Sequence, residues 1–251
     1  MMYILKKLTV FVLFFVLAQI IQASEENKKV QKSYSSSTSF SFLLTSGNTD
    51  DRSLGLDTEQ NWKSTKNHFQ FKGSIIYSES QGSKDTEFYY NHFQYKAVLK
   101  SKAYILGFGK LERNVLSGYN YRLALTVGAG YFWINSEKFV LSSEAAFGWS
   151  LENNIEKDTD FNFSLSFPSM LISNTVQLAF SSNSELVHQD LILFNLENST
   201  DYRISSVSSL SINISKFFSI KISYQLKYSH NPVPGFKSTD QYLLSSLVLN
   251  F

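Results

Sequence analysis

From Ser36 to the last residue, large apolar side chains recur at every second position, and this alternation limits what the chain can fold into. Period two is the signature of a β-strand with two different faces; a helix would need a period near 3.6. The clearest run is residues 119–134. Tyr121, Leu123, Leu125, Val127, Ala129, Tyr131 and Trp133 share one face, and Arg122, Ala124, Thr126, Gly128 and Gly130 share the other. Phe139, Leu141, Ala145, Phe147 and Trp149 then oppose Ser142, Glu144, Ala146 and Gly148. Ile220, Ile222, Tyr224, Leu226 and Tyr228 oppose Lys221, Ser223, Gln225 and Lys227. One face is bulky and apolar; the other is small, polar or charged.

A soluble sandwich or lipocalin-like barrel would bury the bulky face. The small side chains of the other face would then leave the interior of a small barrel unfilled. Turning the bulky face outward, into lipid, resolves this and predicts an all-β chain: an antiparallel transmembrane β-barrel of the outer membrane. Composition agrees. Aromatic residues make up 16% of the chain, yet mean hydropathy is only -0.14, too polar for a bundle of membrane helices. Three prolines interrupt ladders rarely. The absence of cysteine excludes disulfides, thiolate catalysis, thiolate metal sites and a lipoprotein anchor.

Segments of about ten residues suit tilted membrane strands. Tight and long turns alternate, and counting strands gives about twelve, with ten or fourteen also compatible. The count treats residues 174–193 as one long strand and residues 168–174 as a turn. Residues 78–85, 114–118, 151–158 and 231–239 read as loops, and residues 185–198 as the least regular part. Tyr104, Leu106 and Phe108 read as outward and Gly107 and Gly109 as inward, joining Gly128 and Gly130 in an inward glycine band. That band gives either room for a passage or close approach of a large side chain.

Residues 1–23 have the layout of a secretory signal: Lys6 and Lys7, an apolar run over 8–21, and Ile21-Gln22-Ala23 as the cleavage site. Residues 24–35 read as a flexible periplasmic lead-in and 36–251 as the barrel. Without Lys6 and Lys7, basic and acidic residues are equal in number, and there is no basic block to suggest nucleic acid. The expected surroundings are outer-membrane lipid and lipopolysaccharide, with the barrel-assembly machinery during biogenesis and a monomeric final state.

Three stretches carry a resemblance. They are Thr45-Ser46-Gly47-Asn48-Thr49-Asp50; Glu112-Arg113-Asn114 with Ser117-Gly118-Tyr119-Asn120-Tyr121-Arg122 and Gly128-Ala129-Gly130-Tyr131; and residues 231–240, Asn-Pro-Val-Pro-Gly-Phe-Lys-Ser-Thr-Asp. In order and spacing the chain resembles the salt-induced outer membrane protein family, also called domain of unknown function 481. Asn114 departs from the Asp usual there, and residues 190–198 have no matching feature. The resemblance implies an outer-membrane barrel and no established reaction.

The inward phase supplies the candidate lumen residues: Asp57, Glu59, Lys72, His92, Lys96, Arg122, Glu144, Asp160, Lys221 and Lys227. Charges inside a barrel must pair or be wetted, so these read as a polar lumen network or the lining of an ion path. Equal counting from the turn at Ser136 and Glu137 sets Glu144 opposite Gly128 or Gly130, so no Arg122–Glu144 pair is drawn. His68, His92, His188 and His230 form no evident Ser-His or Asp-His arrangement, and no spacing suits a metal. Glu79, Glu152, Glu156 and Asp158 read as outer-loop acids, solvated or bridged by divalent cations to lipid phosphate. No catalytic residue, cofactor or metal is expected. The functional expectation is a barrel acting as a narrow channel or in osmotic adaptation of the envelope. A lipid- or peptide-processing barrel enzyme and a loop-mediated adhesin are the alternatives.

Phe251 falls in phase with the outward face and resembles the terminal aromatic read during barrel assembly. Deleting Phe251 is expected to impair insertion; the expectation fails if the shortened protein accumulates at normal level in the outer membrane, still heat-modifiable on gels.

Overall fold

A strand in hydrocarbon must pair its backbone on both edges, and only a sheet closed on itself leaves no edge. The computed structural model, which describes residues 33–46, 51–80, 83–99, 102–155 and 162–251, has this form. Twelve antiparallel strands make a closed barrel. They are β1 (Ser33–Ser46), β2 (Asp51–Lys63), β3 (Asn67–Ser80), β4 (Ser83–Val98), β5 (Ala103–Asn114) and β6 (Tyr119–Asn135). They continue with β7 (Phe139–Ile155), β8 (Asn162–Ser181), β9 (Ser184–Asn195), β10 (Tyr202–Asn213), β11 (Phe218–Ser229) and β12 (Thr239–Asn250). Each strand pairs with its chain neighbours, and β1 pairs with β12. At the seam, Ser36 N donates to Phe251 O at 3.1 Å and Phe251 N to Ser36 O at 2.8 Å. Ser33 and Phe251 therefore mark one end of the barrel, here the terminal end; the β11–β12 loop lies at the far end.

Strand β1 begins at Ser33, three residues before the expected barrel boundary. The proposed signal and the rest of the lead-in lie outside the described residues.

The strand number matches the sequence expectation, but the partition does not. Residues 168–174 are not a turn; β8 runs through them. Its apolar residues change faces part-way. Phe167 and Leu171 are buried in the interior, while Phe180 is exposed on the outer wall. An apolar pattern that shifts phase looks like a turn, yet here one strand lines the core with its first half and lipid with its second. Pro168 is tolerated because its carbonyl accepts from Leu196 N, just beyond the last residue of β9. The missing N–H therefore costs only a terminal rung. The turn lies instead at residues 182–183, and residues 184–195 form β9. Residues 78–80, 83–85 and 151–155 likewise belong to strands rather than loops.

Strand β5 corrects the second expectation. Tyr104, Leu106 and Phe108 point inward and are buried, while Ile105 and Leu111 are exposed on the wall. Gly107 and Gly109 share the outward phase of Ile105 and Leu111, so of the four glycines expected inward only Gly128 and Gly130 are so placed. Gly130 makes room for a ring: a Cβ there would lie 2.3 Å from Tyr104 Cζ. Tyr104, Leu106, Phe108, Ala146, Leu171 and Leu193 form an apolar cluster inside the barrel, with Val98, Phe132 and Leu191 packed around it. The interior is therefore partly an ordinary packed core, which outward assignment of every apolar run had hidden.

Gly130→Ala should destabilise the barrel by about 1–3 kcal/mol, the usual cost of overpacking, because the buried Tyr104 ring cannot withdraw. Gly107→Ala, with nothing within 4 Å of the added carbon, should change stability by less than about 0.5 kcal/mol. Urea unfolding of the two variants in lipid vesicles checks the contrast.

Candidate functional site: a charged, bridged lumen

Charges inside a barrel avoid their desolvation cost only by pairing well or meeting water. The centre of this lumen is Glu112 on β5. Its side chain is fully buried and takes three cations: Lys110 Nζ at 2.7 Å, Arg122 at 2.7 Å and Lys227 Nζ at 3.0 Å. Lys110 is on the same strand and Arg122 is its cross-strand partner on β6. Lys227 comes from β11, six strands away around the twelve-strand ring. The Glu112–Lys227 pair therefore crosses the lumen between diametrically opposed walls.

Aromatic faces support these cations. Lys227 lies over Phe88 and Tyr242, Lys110 over Tyr90, and Arg122 over Tyr119, all within 5.4 Å of the ring centres. Cation–π contact offsets part of the lost hydration.

Two further bridges cross narrower arcs. Glu144 on β7 accepts from Lys96 Nζ of β4 at 2.6 Å and from the Tyr104 hydroxyl at 2.8 Å. Arg203 on β10 grips both carboxylate oxygens of Glu152 on β7 and reaches Asp201 at 3.3 Å. Toward the terminal end, Glu59 and Lys72 pair across β2 and β3 at 3.6 Å, and Asp57 accepts from Ser41 Oγ at 3.0 Å. Lys221 lies in the field of Lys72, Glu59, Asp57 and Glu185. His92 hydrogen-bonds Tyr90 through Nδ1 at 2.9 Å and packs edge-on against Phe108.

The far end is partly covered. A 3-10 turn, Val115–Ser117, joins β5 to β6 and ends on Gly118, whose φ is +81°. Ser117 Oγ donates to Asp240 of β12 at 2.9 Å. A Cβ on Gly118 would lie 2.8 Å from the Phe236 ring and 2.9 Å from Val233. The β11–β12 loop thus reaches over the mouth to the opposite wall. Beneath it is a cavity of about 260 Å³ bordered by Tyr119, Asn154, Arg203, Pro232 and Val233.

The chain matches the family described as protein of unknown function, DUF481, over residues 38–251. It belongs to that family. It is similar to the uncharacterized protein YdiY of Escherichia coli strain K12, 24% identical over 213 residues, covering 85% of this chain and 81% of YdiY. Among solved structures it resembles the NanC porin, with TM-score 0.57, 7% identity, and coverage of 84% of this chain and 98% of the porin. It also resembles the COG4313 outer membrane channel of Pseudomonas putida F1, with TM-score 0.51, 9% identity, and coverage of 91% and 98%. For the KdgM porin the values are 0.50, 8%, 86% and 99%. At such identities the likeness concerns the fold, that of an outer-membrane barrel.

In this DUF481 chain the second and third resemblance stretches, far apart in sequence, meet at the mouth through Gly118, Val233 and Phe236. Of the ten candidate lumen residues, Asp160 lies outside the described residues. The other nine are on the interior face, but Arg122 and Lys227 converge on a carboxylate the sequence reading left out. Glu112, Lys110, Glu152, Arg203 and Asp201 are the additions. A signal was present: Lys110 and Glu112 continue the phase of Tyr104, Leu106 and Phe108, and two charges on a lipid-facing strand would be costly. Glu152 is corrected from an outer-loop acid to a buried lumen carboxylate. Glu79 lies on β3 rather than in a loop, and Glu156 and Asp158 lie outside the described residues. Glu144 stands opposite Gly130 in the β6–β7 register, one of the two positions counting allowed. On the outer wall, Ser208, His188 and Asp190 form a hydrogen-bonded chain that the sequence reading did not foresee.

Glu112→Ala strips the shared partner from three buried cations and should cost about 3–5 kcal/mol. Lys227→Met leaves Glu112 with two cations and should cost markedly less. The urea midpoints of the two variants check this order.

Proposed function

We propose that this chain is a narrow outer-membrane channel for ions or very small solutes, constricted by the charged side chains that cross its lumen. The observation that carries the reading is the Glu112–Lys227 pair, 3.0 Å long and joining opposite walls. A purely structural interior would be served more cheaply by apolar packing, since replacing buried ion pairs with hydrophobic residues is often neutral or stabilising. Here one cluster of the interior is already packed that way, and charge is retained elsewhere in the lumen.

Interior polar atoms without a protein partner support a hydrated path. His92 Nε2, Thr126 Oγ1, Asn154 Oδ1 and Arg203 Nε are buried and unpaired, and such groups are ordinarily met by water. Similarity to barrels named as porins and as an outer membrane channel supports the same class. The bridges and the apolar cluster narrow the passage, so oligosaccharide-sized solutes are not expected to pass.

Purified protein in a planar bilayer should show small, steady unit currents. Lys227→Ala should raise the unit conductance severalfold, because it removes the far-wall arm of the bridge while Glu112 keeps Lys110 and Arg122. Complete electrical silence of both proteins, with insertion verified, would sink the channel reading.

A further inference from the structure

The outer wall of a membrane barrel should be apolar through its middle, and most of this wall is. Among the described residues, one area at mid-depth departs from that rule with exposed ionisable side chains. Ser143 on β7, Asn174 on β8, Asp190 on β9 and Ser206 on β10 are successive cross-strand partners, so they form a polar row four strands wide. His188 and Ser208 form a second rank beside it. All six alternate with interior residues such as Ser142, Ser173 and Ser209, which are buried; the row therefore faces outward.

The row is internally bonded. Ser143 Oγ donates to Asn174 Oδ1 at 2.7 Å. His188 contacts Asp190 at 3.1 Å through Nε2 and Ser208 at 2.8 Å through Nδ1. It is not covered by the chain itself: the His188 and Asp190 side chains are 38% and 43% exposed. Elsewhere this barrel does cover outward polar groups. Gln60, also on the outer face, is fully buried, and the Tyr34 hydroxyl bonds its side-chain oxygen.

Depth makes the exposure costly. Strand β9 has twelve residues, and His188 and Asp190 are its fifth and seventh; about that many residues cross the hydrocarbon. Leu210, Ile212, Ile222 and Phe180 expose apolar side chains on the surrounding wall. An ionisable pair at mid-depth facing lipid is expensive and normally faces protein or water.

We propose that this row is the contact face for a second copy of the same chain, so that the barrel is an oligomer in the outer membrane and not the monomer expected from sequence. The row is self-complementary. Asp190 offers carboxylate acceptors, while the Asn174 amide and the Ser206 hydroxyl offer donors, so two identical rows satisfy one another. Copies inserted in the same direction meet at matching depth, as a closed symmetric contact requires. The proposal stands whether or not the lumen conducts.

Ser208, His188 and Asp190 also hold the three residue types of a nucleophile, base and acid. Their placement argues against that use. The wall backbone N–H groups are committed to the strand ladders and leave no oxyanion donors, and mid-depth is far from lipid ester carbonyls.

Because the chain has no cysteine, a single introduced one can form a disulfide only between molecules. Asn174→Cys in native outer membranes should give, on mild oxidation, a band of twice the chain mass, while Phe93→Cys on another part of the wall should not. Combining His188→Leu and Asp190→Leu with Asn174→Cys should abolish the band yet leave a heat-modifiable, inserted barrel, since leucine suits lipid. Equal cross-linking of the Asn174 and Phe93 variants, together with single-chain mass in detergent, would overturn the proposal. So would cross-linking to a different protein, or covalent labelling of Ser208 by a fluorophosphonate with Ser208-dependent release of fatty acid from phospholipid vesicles.

Discussion

Hydrocarbon offers no partner to a backbone N–H or C=O, and the whole structure follows from meeting that demand with a closed ladder. The seam between β1 and β12 is where closure is achieved, and Ser36 and Phe251 complete it at the terminal end. Once the sheet closes, every strand has one face in lipid and one in the lumen. The outward face must be apolar. The inward face is free to vary, and this chain uses that freedom unevenly: an apolar cluster around Tyr104 and Leu171, and a charged network around Glu112 that shares strands β5 and β7 with it.

The two parts of the interior are joined at single residues. Tyr104 packs in the apolar cluster, while its hydroxyl donates to Glu144, which also holds Lys96. Phe108 packs in the same cluster and against His92. Aromatic side chains serve here as two-sided linkers, giving area to the core and a ring face or hydroxyl to the charges. The lumen polar groups are therefore positioned by packing as well as by one another, which is how long lysine side chains from opposite walls come to share one carboxylate.

Much of the barrel was legible in the sequence because period two reports directly on the strand. β6, β7 and β11 were assigned to the correct faces from alternation alone. Where the reading failed, the interior was apolar. Equating bulk with lipid puts Tyr104, Leu106 and Phe108 outward, and the phase change in β8 looks like a turn at Pro168. Alternation says which residues share a face but not which face is inside; only charge in the same phase, such as Lys110 and Glu112, breaks the tie. The lumen network was legible as a set of inward charges and not as pairs. Partners such as Lys227 and Glu112 are set by curvature and shear, which no local pattern encodes. The polar row on the outer wall was hidden for the same reason: its members lie on four strands and look unremarkable in each.

The contact between Gly118 and the loop carrying Val233 and Phe236 has a consequence for the order of assembly. It joins the middle of the chain to its last hairpin, as do Ser117 with Asp240 and Glu112 with Lys227, contacts 123 and 115 residues apart. The contact with Asp240 needs β12 itself, and Lys227 of β11 meets Glu112 across the lumen once the ring closes and sets β11 on the opposite wall. An open sheet of eleven strands would hold Glu112 against Lys110 and Arg122 alone, without its partner on the opposite wall and with an uncapped mouth. Closure by the last strand thus does more than hide an edge: it fixes Lys227 against Glu112 across the lumen and seats the cap in one event. The interior is a record that the barrel has closed, and a chain that stalls before its final strand lacks the cross-lumen bridge and the cap of one that has finished.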